Sequence, residues 1–187
     1  MSLEKFNFYL SQLERRKAGE KFDGAKEIGN RFKNKKNNNL KPGEFAELCV
    51  KEIFRSKSIE LNKNCIVENT TYEADEHIKN LNMYVEVKNY SFYSCGTANE
   101  KLPGFFFKLE EYNKPALIIF CGEFELLTDK FSSKIWNAYH SPDKTKRFVA
   151  TAAIVNSIRN KIINIVKLSE LPDWIENNAG DKTWKTK

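Results

Sequence analysis

The apolar residues Phe6, Tyr9, Leu10 and Leu13 recur at helical spacing between residues 3 and about 16, which predicts an amphipathic first helix. The next stretch, residues 31–41, is polar, Asn-rich and basic, and reads as an exposed loop or flexible connector. Pro42-Gly43 then punctuates the chain. Beyond it, Phe45, Leu48, Cys49, Glu52, Ile53 and Phe54 describe a helix with one apolar face through about Arg55. Two short extended segments, residues 65–72 and 83–90, flank the polar stretch 73–82 and together predict a β-hairpin. A Gly/Pro-marked loop, a short helix over 105–112 and a buried strand over 115–121 follow. Residues 124–127 are expected to extend that strand's pairing, and Phe131, Ile135, Trp136 and Tyr139 mark another helix. Residues 147–155 and 161–168 are extended candidates around a turn at 156–160, 171–175 make a last helical turn, and the tail from 177 lacks a core-forming pattern.

Helix, hairpin, helix, strand and strand in that order fit an α/β or α+β architecture, with a mixed central sheet flanked by helices. A chain of 187 residues with 41% apolar content builds one substantial core, so residues 1–41 are expected to be a basic helix and connector belonging to the same unit as residues 42–187. The longest apolar run, Ala116-Leu-Ile-Ile-Phe-Cys121, falls far short of the roughly 20 residues that cross a bilayer. The N-terminus has no basic segment leading into an apolar stretch, so a soluble, cytoplasmic protein without a membrane partner is expected. Cys49, Cys65, Cys95 and Cys121 are dispersed and form no CxxC pair, which argues against a zinc ribbon or a disulfide framework. With His77 and His140 the sole histidines, any metal must lean on carboxylates.

Charge adds a direction. Residues 1–41 hold 11 Lys/Arg against 5 Asp/Glu, whereas the remainder holds 20 of each, so the whole net charge of +6 sits in the N-terminal segment. That asymmetry suits a polyanion-binding arm, with Lys33, Lys35 and Lys36 placed to touch phosphates.

The chemistry concentrates in residues 71–90. In a strand over 83–90 the side chains alternate, so Val85 and Val87 enter the core while Tyr84, Glu86 and Lys88 share the other face. A carboxylate and an ammonium two residues apart then serve one site, and Asp75 on the preceding hairpin arm is free to come alongside. Hard cations such as Mg²⁺ take one or two carboxylates together with waters and substrate phosphate. Lys88 would stabilise charge building on a phosphoryl centre or help activate the attacking water.

Asp75, followed after ten intervening positions by Glu86-Val-Lys88, resembles the signature of the PD-(D/E)xK nuclease superfamily, which includes many type II restriction endonucleases and archaeal-type Holliday-junction resolvases. In many members an upstream helix carries a further metal-linked glutamate after a glycine, and Gly43-Glu-Phe-Ala-Glu47 is similar, with Glu47 favoured and Glu44 its rival. The resemblance covers roughly residues 42–122. The proline that often precedes the first acid is Ala74 here, which leaves Glu73 and Glu76 open as alternatives to Asp75.

The resemblance implies a restriction-endonuclease-like core with Asp75, Glu86 and Lys88 catalytic. It also implies Mg²⁺ held by Asp75, Glu86 and Glu47, with Mn²⁺ able to substitute. The expected reaction is hydrolysis of DNA phosphodiester bonds to 5′-phosphate and 3′-hydroxyl ends. The Gly96-Thr97…Glu100-Lys101 loop is similar to loops of some restriction-like enzymes, so Ser94, Thr97 and Asn99 are candidate contacts to phosphate or base edges and Lys101 to phosphate. Small size and that loop favour a type II restriction endonuclease cutting double-stranded DNA at a short site. It would act as a homodimer beside a companion DNA methyltransferase. A junction-resolvase-like repair nuclease and a non-catalytic DNA-binding protein of the same fold are the alternatives.

Overall fold

Helix α1 (Glu4–Lys17) forms on the apolar spacing of its sequence and buries Phe6, Tyr9 and Leu13. Leu3 at its N-cap has no acceptor side chain, so the first amides need a partner from elsewhere. Glu52, on helix α3 (Pro42–Ser56), supplies it: one carboxylate oxygen accepts from the amides of Lys5 at 2.9 Å and Phe6 at 3.2 Å, and the other from Lys5 Nζ at 2.8 Å. The negative charge also complements the positive end of the helix. These residues belong to a computed structural model that describes residues 2–67, 70–90, 114–126 and 163–178.

Helix α2 (Gly24–Arg31), which periodicity does not reveal, is capped by Asp23 accepting from Lys26 N at 3.0 Å and buries Ile28. The Asn-rich stretch after it is an exposed loop, one of the two forms its composition allows, closed by a turn. Phe32 and Leu40 are both buried and joined by a 3.0 Å hydrogen bond from Leu40 N to Phe32 O. Between them the Asn34 side chain accepts from Lys36 N and Asn38 N, and Asn37 takes the left-handed conformation at φ 62° that asparagine tolerates. Helix α3 starts with Pro42 in its first turn, where a missing N–H costs nothing.

Five strands form one mixed sheet in the order β1-β2-β3-β4-β5, namely Leu61–Ile66, Glu73–Ile78, Met83–Tyr90, Ala116–Gly122 and Ile163–Lys167. The first two pairings are antiparallel and the last two parallel. A 3-10 turn, Lys79–Leu81, and Asn82 at φ 47° connect β2 to β3. The expected hairpin arm over 65–72 is therefore corrected: β2 lies within the polar stretch taken as its connector. Ala74, Glu76 and Ile78 alternate inward there, and the buried glutamate hides the strand pattern.

Parallel pairs require crossovers, and their residues 91–113 and 127–162 lie outside the described ones. So do the helices expected over 105–112 and around 131–139, and the extended segment expected over 147–155. Residues 123–126 are helical rather than a strand extension, because the chain turns at Gly122 with φ 67°. After β5 a 3-10 turn leads into helix α4 (Leu171–Asn178), which is longer than the single turn expected.

Alternation divides the sheet into two faces. Met83 and Val85 of β3 and Leu117, Ile119 and Cys121 of β4 face α1, α3 and α4, sharing a core with Leu13, Val50, Phe54 and Ile175. Tyr84, Ala116, Ile118, Phe120 and Ile163 occupy the other face. At the end of β4, buried Tyr9 of α1 donates to Glu125 at 2.6 Å and accepts from Gly122 N at 2.9 Å, which locks α1 to the sheet. The result is a mixed α/β structure with its sheet flanked by helices, and among the described residues no helix is long and apolar enough to cross a membrane.

Glu52→Ala is expected to destabilise the fold by about 1–2 kcal/mol, the cost of losing a helix cap made by a charged acceptor. The urea midpoint should fall accordingly, with Glu52→Gln intermediate. An unchanged midpoint for Glu52→Ala would show that α1 does not depend on this cap.

Candidate active site

Strand β3 carries the centre of the site. Glu86 is 1% exposed and shares its strand face with Tyr84, beside Ile118 and Phe120 of the adjacent strand. A carboxylate so placed needs a counter-charge, and Lys88, two residues on and on the same face, brings Nζ to 2.6 Å from Glu86 Oε2. Lys88 remains a quarter exposed, so its ammonium sits between the buried acid and solvent.

Asp75 enters from β2. The registered pairing of β2 with β3 runs from Ile78↔Met83 to Glu76↔Val85, one position short of Asp75. There the Asp75 carboxylate accepts from Val87 N at 2.8 Å, which joins the two strands through a side chain. The same oxygen lies 4.0 Å from Lys88 Nζ. Lys88 is thus committed mainly to Glu86, and Asp75 is the less compensated acid. Burial pushes the Asp75 carboxyl above its ordinary pKa, and the charges of Glu86 and, more weakly, Glu47 add to the push. Lys88 and the Val87 amide pull the other way and do not prevail.

The structure thus brings Asp75, Glu86 and Lys88 together, with Glu47 of α3 close enough to act on Asp75. Glu44 is exposed in the first turn of α3. Of the rival first acids, Glu73 is exposed, while Glu76 faces the other way and pairs with Lys51 at 2.8 Å. Lys51 is a residue that motif reading misses. Its only sequence signal is a lysine one turn after Glu47 on the apolar side of a helix. His77 stacks on Tyr84 across the β2–β3 pair at 5.2 Å between ring centroids.

Lys33, Lys35 and Lys36 are exposed on the turn after α2, and Lys33 Nζ donates to Gly29 O at 3.1 Å and to the Asn39 side chain. Ser94, Thr97, Asn99 and Lys101 lie outside the described residues.

Among the described residues no three His, Cys, Asp or Glu side chains stand as a finished ligand set. Asp75 and Glu86 nevertheless suit a hard divalent cation, which needs only one or two carboxylates when water and phosphate complete its shell. Burial and then repulsion by Glu86 raise the pKa of Asp75, and such a cation would relieve that repulsion. A site of crowded, partly dehydrated carboxylates beside an ammonium can bind a cation and present positive charge to an anionic substrate. Compared with known proteins, the chain finds no match among family models, curated proteins or solved structures.

A carboxyl whose pKa is raised on folding supports the fold in its protonated form. That support is complete below the unfolded pKa and is lost as pH rises through the folded value. Once ionised, Asp75 therefore favours the fold less than its protonated form does. Asp75→Asn, whose amide oxygen can still accept from Val87, is expected to raise the Tm of cation-free protein at pH 7. The rise should be about 2–4 °C, corresponding to roughly 1 kcal/mol in a chain of this length. The gain should vanish in strong acid, and a lowered Tm at pH 7 would contradict the electrostatic reading.

Proposed function

We propose that the chain is a Mg²⁺-dependent endodeoxyribonuclease of the PD-(D/E)xK type, hydrolysing phosphodiester bonds in double-stranded DNA at a short specific site. The observation that carries this reading is the meeting of Asp75, Glu86 and Lys88 from two adjacent strands, with Glu47 bearing on Asp75 from α3. The mixed sheet flanked by helices is compatible with a restriction-endonuclease-like core. A type II restriction role, a homodimer matching a palindromic site and a companion methyltransferase belong to the same reading.

Asp75 and Glu86 would hold the cation, with Glu47 as a further oxygen donor. When bound, Mg²⁺ polarises a phosphoryl group and lowers the pKa of water. The protein's own part is electrostatic. Without a cation the carboxylates outnumber Lys88 and repel a phosphate, so substrate entry and cation binding are coupled. Lys88 directs its ammonium toward solvent, where it meets a non-bridging phosphate oxygen and stabilises the charge that grows there as the bond to the leaving oxygen breaks. Buried Glu86 holds the Lys88 ammonium in place at 2.6 Å. The exposed lysines after α2 add sequence-independent attraction to the DNA backbone.

Purified protein incubated in Mg²⁺ with unmethylated phage DNA is expected to give discrete fragments on a gel. Lys88→Ala should slow cleavage about 100-fold or more, the usual effect of deleting a preorganised charge at a reacting centre. Cutting of a four-way junction with linear DNA left intact would replace the restriction role with a resolvase one. Binding without cutting in Mg²⁺ or Mn²⁺ would overturn the enzymatic reading.

A further inference from the structure

Helix α3 contributes a buried cation to this centre that neither strand motif contains. The Lys51 side chain is 6% exposed, and its ammonium lies 2.8 Å from Glu76 Oε1, on a side chain that is 2% exposed. The same ammonium lies 3.6 Å from Glu47 Oε2, one helical turn earlier. Burial opposes the charge on Lys51, but Glu76, with Glu47 behind it, outweighs that and holds the ammonium protonated.

Position gives this ion pair its consequence. Glu76 follows Asp75 in β2, and strand alternation turns neighbours to opposite faces: Glu76 toward α3, Asp75 toward Glu86 and Lys88. The pair therefore ties the backbone carrying Asp75 to the helix carrying Glu47. Glu47 is 39% exposed, and Lys51 is the cation beside its carboxylate. Among the described residues, Lys88 lies with Asp75 and Glu86 on one face of β2 and β3, and Lys51 with Glu76 on the other, with Glu47 beside Lys51.

We propose that Lys51, anchored by Glu76, is a positioning residue that holds Glu47 toward Asp75 and so completes the cation site. This rests on the nuclease reading above.

Calorimetric titration with Mn²⁺ tests it on four proteins: wild type, Glu47→Gln, Lys51→Met/Glu76→Gln, and the three changes combined. The paired change avoids leaving Glu76 as an unpaired buried charge. Glu47→Gln and the paired variant should each weaken Mn²⁺ binding about tenfold or more, as loss of residues that orient metal ligands does. The combination should be no weaker than Glu47→Gln alone, because Lys51 acts through Glu47. Wild-type affinity in the paired variant, or losses that add, would overturn the proposal while leaving the nuclease reading intact. A wild type that binds no Mn²⁺ would overturn both. If circular dichroism shows the paired variant to be unfolded, Lys51→Arg and Lys51→Gln decide the matter: Arg should keep most of the affinity and Gln lose it, and equal affinities would overturn the proposal.

Discussion

Glu86 is the constraint around which this molecule is arranged. It is a carboxylate held almost out of water on an otherwise apolar stretch of sheet, and an ion so placed costs several kcal/mol unless its neighbours compensate. Lys88 compensates at 2.6 Å because a strand returns to the same face every second residue. The flanking residues Tyr84 and Val85 and all of β4 are buried, and Lys88, a quarter exposed, stands between Glu86 and solvent. Asp75 enters where main-chain pairing of β2 and β3 stops, and its side chain takes over the amide of Val87.

Much of this was legible in the sequence wherever one rule acted alone. α1 and α3 follow apolar periodicity, β4 is a continuous apolar run, and the alternation of Val85 and Val87 with Glu86 and Lys88 separates core from site without any structure. β2 was obscured because its inward positions include Glu76, whose burial depends on Lys51 from a helix more than twenty residues upstream. No local pattern reports a compensation made across that distance. α2 was hidden because its one large buried apolar side chain, Ile28, cannot establish a period. The basic stretch after it was legible as an exposed loop, but composition does not record the Asn34 side chain accepting from the nearby backbone of Lys36 and Asn38. The role of Glu52 is similar: a residue counted with the apolar face of α3 caps a different helix in space.

The electrostatic layout separates attraction from chemistry. The N-terminal 41 residues carry the whole positive excess, whereas the centre sets the carboxylates of Asp75 and Glu86 beside the ammonium of Lys88. In the proposed nuclease, the basic surface would draw in a polyanion and the acidic centre would admit its phosphate with a cation present. Burial, with the charges of Glu86 and Glu47, raises the pKa of Asp75, so its ionised form supports the fold less than its protonated form. The rigid supports lie around it: Glu52 at α1, the Tyr9–Glu125 contact at the end of β4, and the Lys51–Glu76 pair beneath the site.

Cation dependence of cleavage tests the central claim most directly. Protein freed of metal by chelation would be mixed with supercoiled plasmid and the products followed before and after Mg²⁺ is restored. The expected result is intact plasmid in chelator and cut product bearing 5′-phosphate ends once Mg²⁺ returns. Equal cutting in excess chelator would contradict a cation held by Asp75 and Glu86.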